Sequence, residues 1–178
     1  MRFGGIVLAT ALALGACSSS DPAPIEPQRS ATTPTPTATA PPMPDQARQD
    51  SPEGAAAFVK HYVDVFNYAA ATGDVEELTR LSAPTCEGCQ SYISLYRDTY
   101  AAGGYFKGGQ WSLSEIEVEQ SSSTRRVFAH LDAPAGTQRV DEANDPGPTS
   151  PENAELAFLV TSTSQGENQV SKLVRAEP

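Results

Sequence analysis

The sequence has few cationic side chains. Its 178 residues contain 12 Lys and Arg against 22 Asp and Glu, which gives a formal net charge of −10 at pH 7. Residues 51–178 hold nine of these cations and 18 of these carboxylates. Such a chain repels nucleic acid and anionic lipid headgroups. We therefore expect no nucleic-acid partner, and solubility is the simplest explanation of the acidic composition.

The sequence also lacks the motifs of common enzyme classes. It has no GxGxxG or GxxxxGK phosphate loop, no HExxH motif and no serine in a nucleophile elbow. Histidine occurs twice, and His61 or His130 could pair with Asp64 or Asp132 as an acid and base. A hydrated or locally hydrogen-bonded histidine is the simpler interpretation. We predict no catalytic residue, no metal site and no cofactor.

One uncharged, largely apolar run stands at the N-terminus, over residues 6–14 after Arg2. It is typical of a signal peptide over residues 1–16 and is too short to span a bilayer. The run ends in Leu14-Gly15-Ala16-Cys17, which resembles the lipobox of bacterial lipoproteins. The resemblance implies cleavage before Cys17 and acyl chains, such as palmitate, on that residue. We expect a lipid-anchored protein on the extracytoplasmic face of the cell membrane; an ordinary cleaved signal with a free Cys17 stays open.

The next segment, residues 17–50, is rich in Pro, Thr, Ser and Ala. Eight of the chain's 15 prolines lie in it, and bulky apolar residues are nearly absent. A segment of this composition cannot bury enough apolar surface to offset the entropy of ordering. It predicts a disordered tether, roughly 30 Å long as a coil and about 100 Å when extended. Residues 51–178 are long enough to form a single extracytoplasmic domain with one core.

Two cysteines remain if Cys17 carries lipid, and they form the sequence Cys86-Glu87-Gly88-Cys89. A structural disulfide is favoured because the compartment is oxidising. A redox motif is a weaker alternative, since thioredoxin-type sites follow a strand and Glu87 would raise a thiol pKa. Zinc is weaker still, because a structural site needs four ligands.

The pattern of apolar residues predicts an α+β domain. Helical spacing indicates three N-terminal helices: one from Pro52 to Gly73, one from Asp74 to before Pro84, and one from about Cys86 to Ala102. Alternating apolar residues then predict about four strands in a curved antiparallel sheet, with a bulge between Leu113 and Ile116. These strands cover residues 110–119, 124–133, 153–163 and 170–176.

Several short motifs resemble an uncharacterised family of actinobacterial lipoproteins, a domain of unknown function. They are Phe58-Val59-Lys60-His61-Tyr62, Tyr68-Ala69, Thr72-Gly73-Asp74, the Cys86 to Cys89 pair and Gly103-Gly104. That family is similar in layout to the cone-like fold of ketosteroid isomerases and nuclear transport factor 2. The resemblance implies this fold over most of residues 51–178, and it implies no activity.

Aromatic side chains are the candidate binding residues. Three tyrosines recur at helical spacing. Further aromatic residues lie between glycines in residues 105–111, and aromatics flanked by glycines pack poorly unless they line a pocket. The candidates are Tyr92, Tyr96, Tyr100, Tyr105, Phe106 and Trp111. We therefore predict a noncatalytic domain that binds an envelope protein or a small ligand. The alternative is a small cone-fold enzyme that uses a His/Asp pair in a pocket.

Overall fold

The computed structural model describes residues 38–121 and 124–176. Three α-helices precede the first strand, as predicted. The helices are α1 (Pro52–Thr72), α2 (Glu76–Arg80) and α3 (Glu87–Ala101). Helix α1 begins as its sequence indicates, because the Ser51 hydroxyl accepts a hydrogen bond from the Gly54 amide at 3.0 Å. It ends at Gly73, whose φ of 77° is left-handed.

The strands form two antiparallel sheets. Their bounds are β1 (Gly103–Gly108), β2 (Ser112–Ser121), β3 (Thr124–Ala133), β4 (Gly136–Asp141), β5 (Gly147–Pro148), β6 (Glu152–Ser162) and β7 (Asn168–Arg175). One sheet has the order β2-β3-β6-β7 and the other has the order β1-β4-β5. The first contains the four predicted strands, including the bulge, where the register shifts between Ser114 and Glu117.

The prediction of a single sheet of about four strands is therefore corrected by the second sheet. Strand β1 begins at the Gly103-Gly104 pair, whose sequence indicates only the end of a helix. Strands β4 and β5 are short, and no residue in either is fully buried. The alternation of apolar and polar residues that predicts a strand is consequently missing from all three.

The core lies between α1 and one face of the four-stranded sheet. Strand β3 buries alternate residues against the helix, and these inward residues include Val127, Ala129 and Leu131. The side chain of Tyr62 packs edge-on against Phe158 at 6.2 Å between ring centroids. The residues between the inward ones point to the opposite face, here called the outer face; they include Arg126, Phe128 and His130 on β3.

Residues 38–50 pack on the domain, which corrects the expectation that the tether extends to Asp50. Residues Asp45–Arg48 form a short 3₁₀ helix in which Ala47 is buried. The Asn168 side chain donates to the Ala47 carbonyl at 3.0 Å, and Asp50 pairs with the buried Arg125. The folded domain thus includes this segment, here called the N-terminal arm.

Cys86 and Cys89 form a disulfide at the start of α3, which confirms the favoured interpretation. Both residues are buried, and the Cys89 amide donates to the Cys86 sulfur at 3.3 Å. Gly88 between them is explained by packing, because a Cβ there would lie 2.4 Å from the Leu173 carbonyl oxygen of β7. The disulfide therefore closes the first turn of α3, and Gly88 lets that turn pack closely against β7.

No helix within residues 38–121 and 124–176 is long and apolar enough to cross a membrane. The predicted signal peptide, Cys17 and the first part of the tether lie outside the described residues. Their assignment stays a prediction.

Candidate binding pocket

Five aromatic rings meet between α1, α3 and β1. Phe66 lies at the centre, with its ring 4.1 Å from Trp111, 4.9 Å from Tyr92 and 5.3 Å from Tyr96 between centroids. The ring of Phe106 contacts Tyr96 edge-on at 5.2 Å. Two helices, strand β1 and the connection that follows it thus place the rings in one continuous cluster.

The cluster lines two adjoining cavities that open to solvent. The cavity beside α1 has a volume of about 290 Å³ and the one beside α3 has a volume of about 230 Å³. Both are bounded by Ala70, Tyr96, Phe106, Gly108 and Gly109. Together they form one site, here called the aromatic pocket.

Asn67 holds the loop that closes one side of the aromatic pocket. Its amide group donates to the Trp111 carbonyl and accepts from the Trp111 amide, each at 2.8 Å. These two bonds fasten the backbone of Trp111 to α1. The position of the Trp111 ring is therefore set by the helix.

Two tyrosines, Tyr92 and Tyr96, belong to the lining of the aromatic pocket. Neither Tyr92 nor Tyr96 makes a side-chain hydrogen bond to another residue of the described chain, although Tyr96 is almost fully buried. Burial raises the pKa of Tyr96 far above its usual value and raises the pKa of Tyr92 in the same direction. Both groups stay protonated at neutral pH and can donate a hydrogen bond.

Four of the six predicted binding residues line the aromatic pocket: Tyr92, Tyr96, Phe106 and Trp111. Tyr100 lies behind it, where its hydroxyl donates to the Ala70 carbonyl at 2.9 Å. Tyr105 points to the other side of β1, between the cations of Lys107 at 4.5 Å and Arg139 at 5.0 Å from the ring centroid.

The sequence prediction missed Phe66 and Asn67. Phe66 reads as an ordinary member of the apolar stripe on α1, and its contacts with α3 and with the loop at Trp111 are long-range. Asn67 has no local signal, because its partner is the backbone of a residue 44 positions later. Both roles depend on tertiary packing.

The two histidines lie apart from the pocket. His130 lies on the outer face as predicted, and its Nδ1 is 2.6 Å from Oε1 of Glu155 on β6. His61 is buried on α1, which corrects the expectation that its ring tip lies in water. Its Nε2 has no hydrogen-bond partner among the described residues. In the same part of the chain, no three metal-ligating side chains lie close enough to hold an ion.

The model of a family of unknown function, DUF6318, matches residues 28–132. No curated protein matches the chain significantly. The family match agrees with the resemblance to an uncharacterised family. The description of the family assigns no activity.

Among solved structures, the chain is similar to the intermembrane space region of chloroplast protein ARC6, with a TM-score of 0.55 and 11% identity over 73% of this chain and 99% of that one. A putative dehydratase of the NTF2-like family from Streptomyces avermitilis has a TM-score of 0.45 and 16% identity over 69% and 95%. A protein of cystatin-like fold from Caulobacter vibrioides has a TM-score of 0.42 and 9% identity over 67% and 88%. The likeness to the ARC6 region, at 11% identity, is one of fold alone.

Proposed function

Because the chain belongs to the family of unknown function DUF6318, whose description assigns no activity, we propose its function from its geometry. The domain is a noncatalytic binding module at the extracytoplasmic face of the cell membrane, held there by lipid on Cys17. It binds a small ligand, or a side chain of an envelope protein, in the aromatic pocket. The observation that carries this proposal is the open pocket lined by four aromatic rings.

The lining of the aromatic pocket suits binding. Ligand sites combine apolar and aromatic walls with a few polar groups that fix orientation. Here the rings of Phe106 and Trp111 form apolar walls, and the hydroxyls of Tyr92 and Tyr96 supply donors without competing partners in the described chain. A ligand that enters therefore gains apolar burial and hydrogen bonds together.

The enzyme alternative has less support. It requires a titratable acid or base in the cavity, and the pair that could supply one, His130 with Asp132, lies on β3 away from the pocket lining. Glu152 at the rim is paired with Arg175. The two lining tyrosines have raised pKa values and are poor bases at neutral pH.

Site-specific photocrosslinking in cells tests the proposal. Leu95 stands at the pocket rim with 42% of its surface exposed, and Val174 stands on the outer face with 39% exposed, which makes the two positions a matched pair. A photoreactive phenylalanine at position 95 should give a discrete adduct, and the same group at position 174 should not. Adducts at position 174 alone would overturn the aromatic pocket as the binding site.

A blocking variant ties any adduct to the aromatic pocket. Ala70 borders both cavities, so Ala70→Leu reduces the space in each. It should remove the adduct at position 95 while circular dichroism shows an intact fold.

A separate test concerns catalysis: His130→Gln should leave the cellular phenotype unchanged. If the His130→Gln protein folds but its cells show the same phenotype as cells that lack the gene, the noncatalytic proposal is wrong.

A further inference from the structure

We propose that the aromatic pocket takes a neutral sugar, which sits in the cavity beside α3. The inference rests on the proposed binding function and names its ligand class. Besides two tyrosines, five side chains that line this cavity carry an oxygen able to accept a hydrogen bond: Thr137, Gln138, Thr149, Ser150 and Glu152. They come from β4, from the connection between β5 and β6, and from the first residue of β6.

Apolar groups lie directly beside these polar side chains. Phe106 on β1 is the cross-strand partner of Gln138 on β4, so the ring and the amide stand next to each other on the same face of the sheet. The lining also includes the apolar side chains of Leu95, Ala133 and Pro134. A ligand in this cavity therefore meets apolar and hydrogen-bonding groups together. A sugar ring matches both, because it carries C–H groups as well as hydroxyls.

Several of the polar groups have hydrogen-bonding capacity left for a ligand. The Thr149 hydroxyl accepts from the Gly136 amide at 2.8 Å, so its own proton remains for another acceptor. Oε1 of Glu152 accepts from Arg175, whereas Oε2 is not part of that pair. Gln138 makes no side-chain hydrogen bond to another described residue and can both donate and accept. Because a sugar hydroxyl also donates and accepts, it can pair with each of these groups.

The charges of the lining favour a neutral ligand. Among the described residues, the lining holds one carboxylate, that of Glu152, and no Lys, Arg or His side chain. Because Arg175 pairs with Glu152, a cation finds no free opposite charge, and an anion finds no cation at all. A wholly apolar ligand would take water from the polar side chains without replacing their hydrogen bonds. A neutral ligand with several hydroxyls avoids each of these difficulties.

The size of the cavity suits a single sugar ring. Its volume is about 230 Å³, whereas sites for drug-sized ligands span roughly 300–1,000 Å³. The cavity beside α1 adjoins it and adds about 290 Å³. The aromatic pocket therefore has room for one ring beside α3 and for part of a second ring beside α1, as at the end of a glycan chain.

A glycan array tests the inference with the full chain carrying Cys17→Ala, so that no lipid interferes. The immobilised probes are neutral glycans that end in hexoses, pentoses or N-acetylhexosamines. The protein should be retained on glycans that share one terminal sugar. Ala70→Leu reduces the space in both cavities and should abolish this retention. If no probe retains the protein with the unaltered pocket, the inference is wrong.

A variant of the polar lining locates the sugar. Gln138→Ala removes a donor and an acceptor, so it should weaken the retained sugar, added as its free methyl glycoside, at least about fivefold. The matched control is Gln165→Ala, which alters an exposed glutamine that lines neither cavity and should leave the affinity unchanged. Calorimetry measures both affinities, and circular dichroism checks the fold. Full affinity in Gln138→Ala and Ala70→Leu would place the sugar outside the aromatic pocket and overturn the inference.

Salt and stereochemistry test the chemistry of recognition. The affinity should change less than about twofold between about 0.05 M and about 0.5 M sodium chloride, because salt does not screen a neutral ligand. At least one epimer that differs in a single hydroxyl should bind at least about fivefold more weakly, because the moved hydroxyl leaves polar side chains unpaired. A strong salt dependence, or equal affinity for every epimer, would overturn the inference.

Two further comparisons complete the test. If a disaccharide binds more tightly than the methyl glycoside of its terminal sugar, the ligand is the end of a glycan; if the two bind equally, it is a single free sugar. No retention on the array, together with an adduct at position 95, would overturn the sugar inference and leave the pocket as a binding site. No retention and no adduct would overturn both.

Discussion

At the scale of single residues, His61 is the side chain whose surroundings carry the clearest consequence. It is 2% exposed, and its Nε2 has no partner among the described residues. Burial lowers its pKa below the usual 6.5. The charges of Glu77 and Asp64 oppose this effect, and those of Arg80 and Arg48 add to it. The ring is consequently neutral in the folded protein near pH 7.

This position predicts a pH-dependent stability. Because the pKa of His61 is lower in the folded state than in the unfolded one, the unfolded chain binds a proton first as the pH falls. The free energy of unfolding should be constant above about pH 7.5 and should fall as the pH drops below the unfolded value of 6.5. Thermal unfolding between pH 5 and 8 measures the effect.

His61→Leu isolates the histidine. Replacing a buried polar group by an apolar one of similar size is nearly neutral, so the variant should unfold within about 1 kcal/mol of the natural protein at pH 8. At pH 5.5 it should be the more stable of the two. The control, His130→Gln, keeps His61 and should keep the pH dependence. If the free energy of unfolding of His61→Leu falls with pH as steeply as that of the natural protein, His61 is not the source of the pH dependence.

Residue patterns allowed some of these positions to be predicted. Ser51 precedes Pro52 and caps α1, and the pair at Cys86 and Cys89 is close enough in sequence to bond. His61 could not be placed, because it lies at the edge of an apolar stripe. Whether such a position is exposed depends on the element packed over it, which sequence periodicity does not indicate.

At the scale of secondary-structure elements, the connection between β1 and β2 determines the shape of the aromatic pocket. Asn67 on α1 makes two hydrogen bonds with the backbone of Trp111 and thereby holds this connection. The glycines around residues 105–111 indicate that the aromatic residues between them line a pocket. The pattern did not show that residues 103–108 pair with β4, because glycine-rich strands lack a side-chain signal.

We predict that Asn67→Ala loosens this connection. The variant loses both hydrogen bonds, at a cost of about 1–3 kcal/mol in the free energy of unfolding. Trp111 should then separate from Phe66, and its emission should shift to longer wavelength. Asn67→Asp keeps the acceptor but sets a carboxylate oxygen against the Trp111 carbonyl, so its loss should be at least as large as that of Asn67→Ala. Unchanged emission in Asn67→Ala would show that packing of the ring alone holds the loop.

At the scale of the whole molecule, the N-terminal arm determines where the folded domain begins. Arg125 on β3 has 7% of its side chain exposed and pairs with Asp50 of the arm. Its guanidinium also donates to Asn168, which in turn donates to the Ala47 carbonyl. The composition of residues 17–50 does not predict that the arm packs on the domain. The contacts use backbone carbonyls and one buried alanine, and no apolar run marks them.

Truncation tests the role of the arm. A chain that begins at residue 38 should match the natural protein in stability, whereas one that begins at Ser51 should lose about 2–3 kcal/mol. The loss arises because removal of Asp50 leaves the buried Arg125 charge without its carboxylate, and removal of Ala47 takes away a buried apolar side chain. Chemical denaturation measures it. The point variant Asp50→Asn should show part of the same loss; equal stability of both truncated chains would contradict a structural arm.

The last prediction concerns the proposed lipid anchor of the whole molecule on Cys17. Two or three acyl chains, each contributing about 0.8 kcal/mol per buried methylene, give effectively permanent anchorage. Cys17→Ala should therefore remove the protein from the membrane fraction and abolish labelling by an alkyne fatty acid. The neighbouring substitution Ser18→Ala keeps the cysteine and should retain both properties. Cys17→Ala protein that still sediments with membranes after a high-salt wash would show that another element of the chain provides the anchor.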